Sequence, residues 1–161
     1  LLRRLLGDQI RTVSRKNLVR GRKFSEMLND ALTRYTNRSL TTAEIIAELV
    51  SLAKDMRADR ERAKQLRLSD AEIALYDAII QNDSAILEMG DETLKMIARE
   101  LVATIRSSAT LDWTVKESVR ARMRSRIKRL LAKYKYPPDK REQAVQLVIE
   151  QAEHLATGEQ D

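Results

Sequence analysis

The chain has 161 residues and a formal net charge of +6, a length that suits one domain or at most two small ones. Four glycines and two prolines are too few for a β-sandwich or barrel, which needs a turn about every 8–12 residues. The absence of cysteine excludes disulfides, thiolate metal sites and cysteine nucleophiles. The composition therefore indicates a protein built from long helices.

Apolar residues recur at helical spacing along almost the whole chain. Phe24, Leu28 and Tyr35 share one face of a helix, and similar stripes begin at Ile45 and Leu94. Because each stripe has to be buried against another helix, we predict an all-α fold: one bundle of about six to seven helices, with residues 1–161 as a single domain. The predicted helices are 2–14, 23–37, 42–66, 70–81, 91–108, 115–135 and 138–156, with 82–90 as an irregular connection.

Three capping boxes of the form S/T-x-x-E support these helix starts, because the hydroxyl and the carboxylate each satisfy a free backbone amide of the first turn. Pro137 interrupts the chain before the last predicted helix, and Pro138 suits the first turn of that helix. The three boxes are Thr41 with Glu44, Ser69 with Glu72, and Thr114 with Glu117.

The positive charge is concentrated in two blocks. Residues 1–24 have a net charge of +7 and residues 115–135 a net charge of +8, whereas residues 25–114 and 136–161 carry −5 and −4. Such alternation suits either an anionic partner or ion pairs within the fold. For residues 1–22 the two interpretations are a basic connector that leads into the domain and a nucleic-acid arm.

The predicted helix 115–135 is the strongest local feature. At about 100° per residue, its basic side chains form two stripes on either side of an apolar seam. The predicted seam consists of Val115, Val119, Met123, Ile127, Leu130 and Tyr134. The stripes would suit contacts to duplex phosphates that do not read sequence. In the alternative interpretation they pair with acidic side chains of residues 25–114. The candidate DNA or partner contacts are Arg120, Arg122, Arg124, Arg126, Lys128, Arg129 and Lys133.

No catalytic residue, cofactor site or metal site is predicted, since the sequence lacks phosphate-binding, hydrolase and zinc-protease motifs. Pro138–Asp139 could begin a metal-dependent nuclease motif, but the lysine that would complete it does not follow, so a helix start is preferred. His154, four residues after Glu150, is interpreted as a surface residue and not a metal ligand. Trp113 is either a hydrophobic staple on the following helix or a partner-interface anchor.

Seven short blocks, taken in order, carry a family resemblance. The sequence resembles the helical C-terminal domain of the restriction (R) subunit of type I restriction-modification enzymes from about Leu5 to Ala156. One departure is Lys135, where the family often has glycine at the end of a helix. The blocks are FSEML (24–28), RYTNR (34–38), AKDMR (53–57), LYDA (75–78), MGDE (89–92), DWTVKESVRA (112–121) and KYKYPPDK (133–140).

The resemblance implies a non-catalytic piece of a larger enzyme, which also fits a chain that begins Leu1–Leu2 without methionine. The parent would be a prokaryotic, cytoplasmic type I site-specific deoxyribonuclease that uses ATP and Mg²⁺ to translocate DNA. The helical domain would dock the R subunit onto the methyltransferase and specificity subunits. The alternative function is sequence-independent duplex DNA binding through helix 115–135. No membrane segment is expected, because the longest apolar runs are far shorter than the roughly 20 residues that span a bilayer.

Overall fold

The computed structural model describes residues 1–81, 83–108 and 117–160. Within these ranges the chain forms eight α-helices, one short 3₁₀ helix and no strand, which confirms the all-α class and adds one helix to the upper predicted number. The helices are α1 (Leu2–Lys16), α2 (Leu18–Thr36), α3 (Thr42–Leu66), α4 (Asp70–Ile79), α5 (Asp83–Met89), α6 (Asp91–Ser108), α7 (Glu117–Lys133) and α8 (Arg141–Gln160), with the 3₁₀ helix Pro138–Lys140 before α8.

The chain divides into two compact units, unit 1 (Leu1–Arg67) and unit 2 (Leu68–Asp161). Unit 1 contains α1 to α3, and unit 2 contains α4 to α8. The assignment of residues 1–161 to one domain stays a prediction.

In unit 1 three helices enclose one apolar core. Leu6 and Ile10 of α1 are buried with residues of α2 and α3, so residues 1–22 are not the predicted connector but α1 and the start of α2. The helix can restart after a single extended residue, Asn17, because the Asn17 side chain accepts a hydrogen bond of 3.1 Å from the Arg20 amide. The core residues are Leu6, Ile10, Phe24, Leu28, Ala31, Ile45, Leu49, Leu52 and Met56.

In unit 2 the central element is α4, whose residues from Ile73 to Ile79 are all buried. It packs against α6 and α8, and α7 packs against the same two helices. The Tyr76 hydroxyl donates a 2.5 Å hydrogen bond to Asp91 at the start of α6. This bond and the nearby Lys95 ammonium hold the pKa of Asp91 below its ordinary value, because both stabilise the carboxylate.

The capping boxes at Thr41 and Ser69 are confirmed, with both reciprocal hydrogen bonds present in each. The box at Thr114 lies outside the described residues. Pro138 begins the 3₁₀ helix that leads into α8, which confirms a helix start there.

The predicted irregular connection 82–90 is wrong, since it contains α5. Gly90, the residue after α5, takes a left-handed φ of +78°, a conformation that commonly terminates a helix.

Lys135 explains how α7 ends. Its φ is +60°, and the amides of Lys135 and Tyr136 donate to the carbonyls of Ala132 and Leu131 at 3.0 and 2.9 Å. This is the Schellman arrangement, in which glycine is the usual left-handed residue. Tyr136, the next residue, is fully buried and donates a 2.6 Å hydrogen bond to the Ile79 carbonyl at the end of α4.

Replacing Lys135 with glycine should stabilise unit 2. A residue with a Cβ is strained in the left-handed region and glycine is not, so we expect Lys135→Gly to raise the free energy of unfolding by about 0.5–1 kcal/mol. Lys135→Ala is the control: it removes the same charge, keeps the Cβ and should gain nothing comparable. Urea denaturation followed by circular dichroism measures both, and equal effects of the two variants would contradict the proposed strain.

The contact between α1 and α2 depends on Gly21. A Cβ at this position would lie 2.8 Å from Ser14 Cα, closer than packed carbon atoms approach, whereas a Cβ at Gly7 of α1 would meet nothing within 4 Å. We therefore expect Gly21→Ala to destabilise unit 1 by about 1–3 kcal/mol. Gly7→Ala should stabilise it by about 0.5–1 kcal/mol through helix propensity. Urea denaturation of the two variants tests the contact, and destabilisation of similar size at both positions would argue against it.

Candidate interaction surface on α7

The apolar side of α7 fixes the direction of its charged side chains. Met123, Ile127 and Leu131 are buried at intervals of four residues, and they hold α7 against α6 and α8. The predicted seam included Leu130, but Leu130 is only half-buried and Leu131 is fully buried in its place. Residues four apart do not lie at quite the same angle around a helix, so the buried seam turns gradually around α7.

One flank of α7 is neutralised by α8. Arg120 Nη2 lies 2.6 Å from Glu153 Oε1, and Lys128 Nζ lies 2.8 Å from Glu142 Oε1. The two helices run antiparallel, since the earlier basic residue meets the later acidic one. Pairing within the fold is thus confirmed for these two residues, but the expectation that residues 25–114 supply their partners is wrong. The sequence alone does not point to these partners, because spacing does not show that α7 and α8 lie antiparallel.

The C-terminal end of α7 is attached to α6. The Tyr134 hydroxyl donates a hydrogen bond to the Glu100 carboxylate, and Lys133 Nζ lies 3.9 Å from the same carboxylate. The hydrogen bond to Glu100 is the main cause that raises the pKa of Tyr134, since the bond requires the protonated hydroxyl, and burial and the negative charge act in the same direction. Here the partner does belong to residues 25–114, as predicted for Lys133.

The opposite side of α7 stays cationic and exposed. Arg122, Arg126 and Arg129 are exposed and lie within an arc of about 60° that extends about 10 Å along the helix. We call these three residues the outer arginine surface. Arg126 also makes a contact within the chain, whereas Arg122 and Arg129 have no ion-pair partner in the described part of the chain. Arg124 is exposed on the other edge of the helix.

Trp113 lies outside the described residues, so both interpretations of it stay predictions. The side chain of His154 is half-buried in α8 and has a partner within the chain. Over the described ranges, no cluster of three or more His, Cys, Asp or Glu side chains is arranged to hold a metal ion. None of the described helices is long and apolar enough to cross a membrane.

Comparison with known proteins identifies the family. Residues 1–158 match the family described as "Type I restriction enzyme HindI endonuclease subunit-like, C-terminal". The chain is 44% identical over 155 residues to the type I restriction enzyme HindI endonuclease subunit of Haemophilus influenzae, covering 96% of this chain and 15% of that protein. It is 35% identical over 136 residues to the putative type I restriction enzyme MjaIXP endonuclease subunit of Methanocaldococcus jannaschii, covering 83% of this chain and 13% of that protein.

These similarities show that the chain belongs to the C-terminal family of type I restriction endonuclease subunits, which confirms the resemblance noted in the sequence. The chain spans only a small part, 15% and 13%, of the length of the two relatives. No solved structure matches it.

The two ion pairs between α7 and α8 should differ in strength. Arg120 and Glu153 have exposed side-chain fractions of 38% and 29%, against 43% and 75% for Lys128 and Glu142, and water weakens the more exposed pair. In double-mutant cycles with alanine, we expect a coupling energy of about 0.5–1 kcal/mol for Arg120–Glu153 and less than about 0.5 kcal/mol for Lys128–Glu142. Urea denaturation gives both values, and the reverse order would contradict this placement of α7 on α8.

Proposed function

We propose that this chain is the helical C-terminal module of an ATP-dependent type I restriction endonuclease subunit. In this proposal the module is not catalytic and binds no cofactor, and the complete subunit uses ATP and Mg²⁺ to translocate and cleave DNA in a prokaryotic cytoplasm. The module holds the endonuclease subunit on the methyltransferase and specificity subunits. Family membership supports the parent enzyme, since both relatives are named as endonuclease subunits.

The observation that carries the assembly role is the contrast between the two sides of α7. The fold supplies carboxylates to Arg120 and Lys128 but leaves Arg122 and Arg129 exposed. Guanidinium groups match carboxylates in a fork geometry and are enriched in protein interfaces. An acidic face on a partner subunit would pair with Arg122 and Arg129 in the way that the glutamates of α8 pair with Arg120 and Lys128.

Charge reversal on the outer arginine surface should weaken assembly. We expect Arg122→Glu with Arg129→Glu to reduce the affinity of the endonuclease subunit for the methyltransferase and specificity subunits by about tenfold or more, because like charges would then face each other. The matched control is Arg99→Glu with Arg106→Glu on α6, two exposed arginines with the same seven-residue spacing. The control should bind normally. Biolayer interferometry with the purified methyltransferase–specificity complex measures both.

Three outcomes would contradict the proposal. The first is full assembly by an endonuclease subunit from which residues 1–161 have been deleted, and the second is equal weakening by the control variant. The third is duplex DNA binding by α7. Labelled DNA would then bind with an affinity that falls steeply with salt, and the Arg122 and Arg129 variant would reduce the slope of log affinity against log salt by about one unit per lost phosphate contact. Subunit assembly would not change in that case.

A further inference from the structure

The longest helix of unit 1, α3, separates its charges onto two flanks. With the buried residues Ile45, Leu49, Leu52 and Met56 facing the core, most acidic and basic side chains of α3 fall on opposite sides of that buried stripe. The exceptions are Glu61, on the basic side, and Arg62, on the acidic side. The acidic flank contains Glu44, Glu48, Asp55 and Asp59, and the basic flank contains Lys54, Arg57, Arg60 and Lys64.

The acidic flank is occupied within unit 1 by α2. Arg34 donates two hydrogen bonds to Glu48, from Nη1 to Oε1 at 2.8 Å and from Nη2 to Oε2 at 2.6 Å. This fork is the main cause that raises the pKa of Arg34. Further along α3, Arg20 Nε lies 3.3 Å from Asp59 Oδ1. Unit 1 thus attaches a helix to α3 by placing arginines opposite its carboxylates.

On the basic flank, Arg57 and Arg60 make no such ion pair in the described part of unit 1, although α1 also packs against α3. Arg57 and Arg60 are exposed, and no carboxylate in the described residues pairs with either. The acidic residue of α1, Asp8, is already paired with Arg11 of the same helix. Lys64 reaches Glu61 at 3.7 Å, but both side chains are more than half exposed, and such pairs contribute little.

Exposed aliphatic side chains continue the same flank toward the start of α3. Ile46 is 51% exposed and Val50 is 39% exposed. Together with the basic residues they follow alternating intervals of four and three residues, which is the spacing of a helix face that packs along another helix. We call this set the α3 seam: Ile46, Val50, Ala53, Arg57, Arg60 and Lys64.

We propose that the α3 seam binds an amphipathic helix of the methyltransferase or specificity subunit, a helix with apolar residues at one end and carboxylates at the other. The apolar end covers Ile46 and Val50, and the carboxylates pair with Arg57 and Arg60, about 10–20 Å further along α3. This inference rests on the proposed assembly function, and it adds the docking surface and the chemistry of the partner.

Charge and polarity together select this occupant. A DNA backbone would satisfy Arg57 and Arg60 but offers no apolar surface to Ile46 and Val50. A second copy of α3 is not complementary to the seam in either orientation. A parallel pairing sets arginine against arginine, and an antiparallel pairing sets arginine against the aliphatic residues. An acidic amphipathic helix satisfies both halves of the seam, as helix-in-groove recognition does with anchors at these intervals.

The first test is charge reversal in the complete endonuclease subunit. Arg57→Glu with Arg60→Glu should reduce affinity for the purified methyltransferase–specificity complex by about tenfold or more. The matched control is Arg4→Glu with Arg15→Glu, two exposed arginines on the outward side of α1, which makes the same charge change in the same unit and should bind normally. Ile46→Ser with Val50→Ser should also weaken binding, with little change in its salt dependence.

Unfolding midpoints measured in parallel should be unchanged, since all four seam positions are exposed. Wild-type assembly combined with normal binding by both seam variants would overturn the inference while leaving the proposed function intact. Normal assembly after deletion of residues 1–161 would overturn the proposed function itself. The two failures are therefore distinguishable.

The second test identifies the occupant. A photo-crosslinking amino acid at Ile46, and separately at Arg57, should capture peptides from one helix of the methyltransferase or specificity subunit, the first apolar and the second acidic. Lysine substitution of the captured carboxylates should then restore binding of the Arg57→Glu and Arg60→Glu variant. Crosslinks to DNA or to a second copy of this chain would overturn the inference.

Discussion

The ion pairs between neighbouring helices determine which cationic side chains this protein presents. Arg34–Glu48 and Arg20–Asp59 join α2 to α3, and Arg120–Glu153 and Lys128–Glu142 join α7 to α8. Such partly exposed pairs contribute little to stability, whereas each buried aliphatic side chain contributes about 1.5–3 kcal/mol. The apolar core therefore holds the helices together, and the ion pairs determine which cationic side chains stay exposed.

The division into two units changes how the net charge should be interpreted. Unit 1 contains 16 Lys and Arg against 8 Asp and Glu, a net charge of +8, and unit 2 contains 14 against 16, a net charge of −2. Helix α7, the most basic helix, belongs to the slightly acidic unit. The block charges along the sequence do not reveal this, because they follow chain order and not units.

Periodicity and capping patterns were enough to predict the helix class and most helix positions. The predicted seam of α7 differs by one position near its end, where Leu131 and not Leu130 is fully buried, because spacing alone does not show which of two adjacent leucines faces the core. The start of α2 was missed because Arg and Lys, which favour helices, look the same in sequence whether they lie in a helix or a connector. The partners of Arg120 and Lys128 could not be assigned without the antiparallel placement of α8. Outer residues such as Arg122 were predicted as candidates, but the sequence could not separate them from paired ones.

The exposed arginines of the α3 seam and of the outer arginine surface suit recognition of a partner more than they suit stability of the fold. Arg57, Arg60, Arg122 and Arg129 are all arginine, and the Arg34–Glu48 fork shows the geometry that arginine makes with a carboxylate in this chain. Charged contacts at an interface mainly determine encounter rate and partner choice, while buried apolar area supplies affinity. The α3 seam combines both, since its aliphatic half can be desolvated and its basic half rejects a cationic partner. A surface of this composition discriminates between partners by what it repels as well as by what it binds.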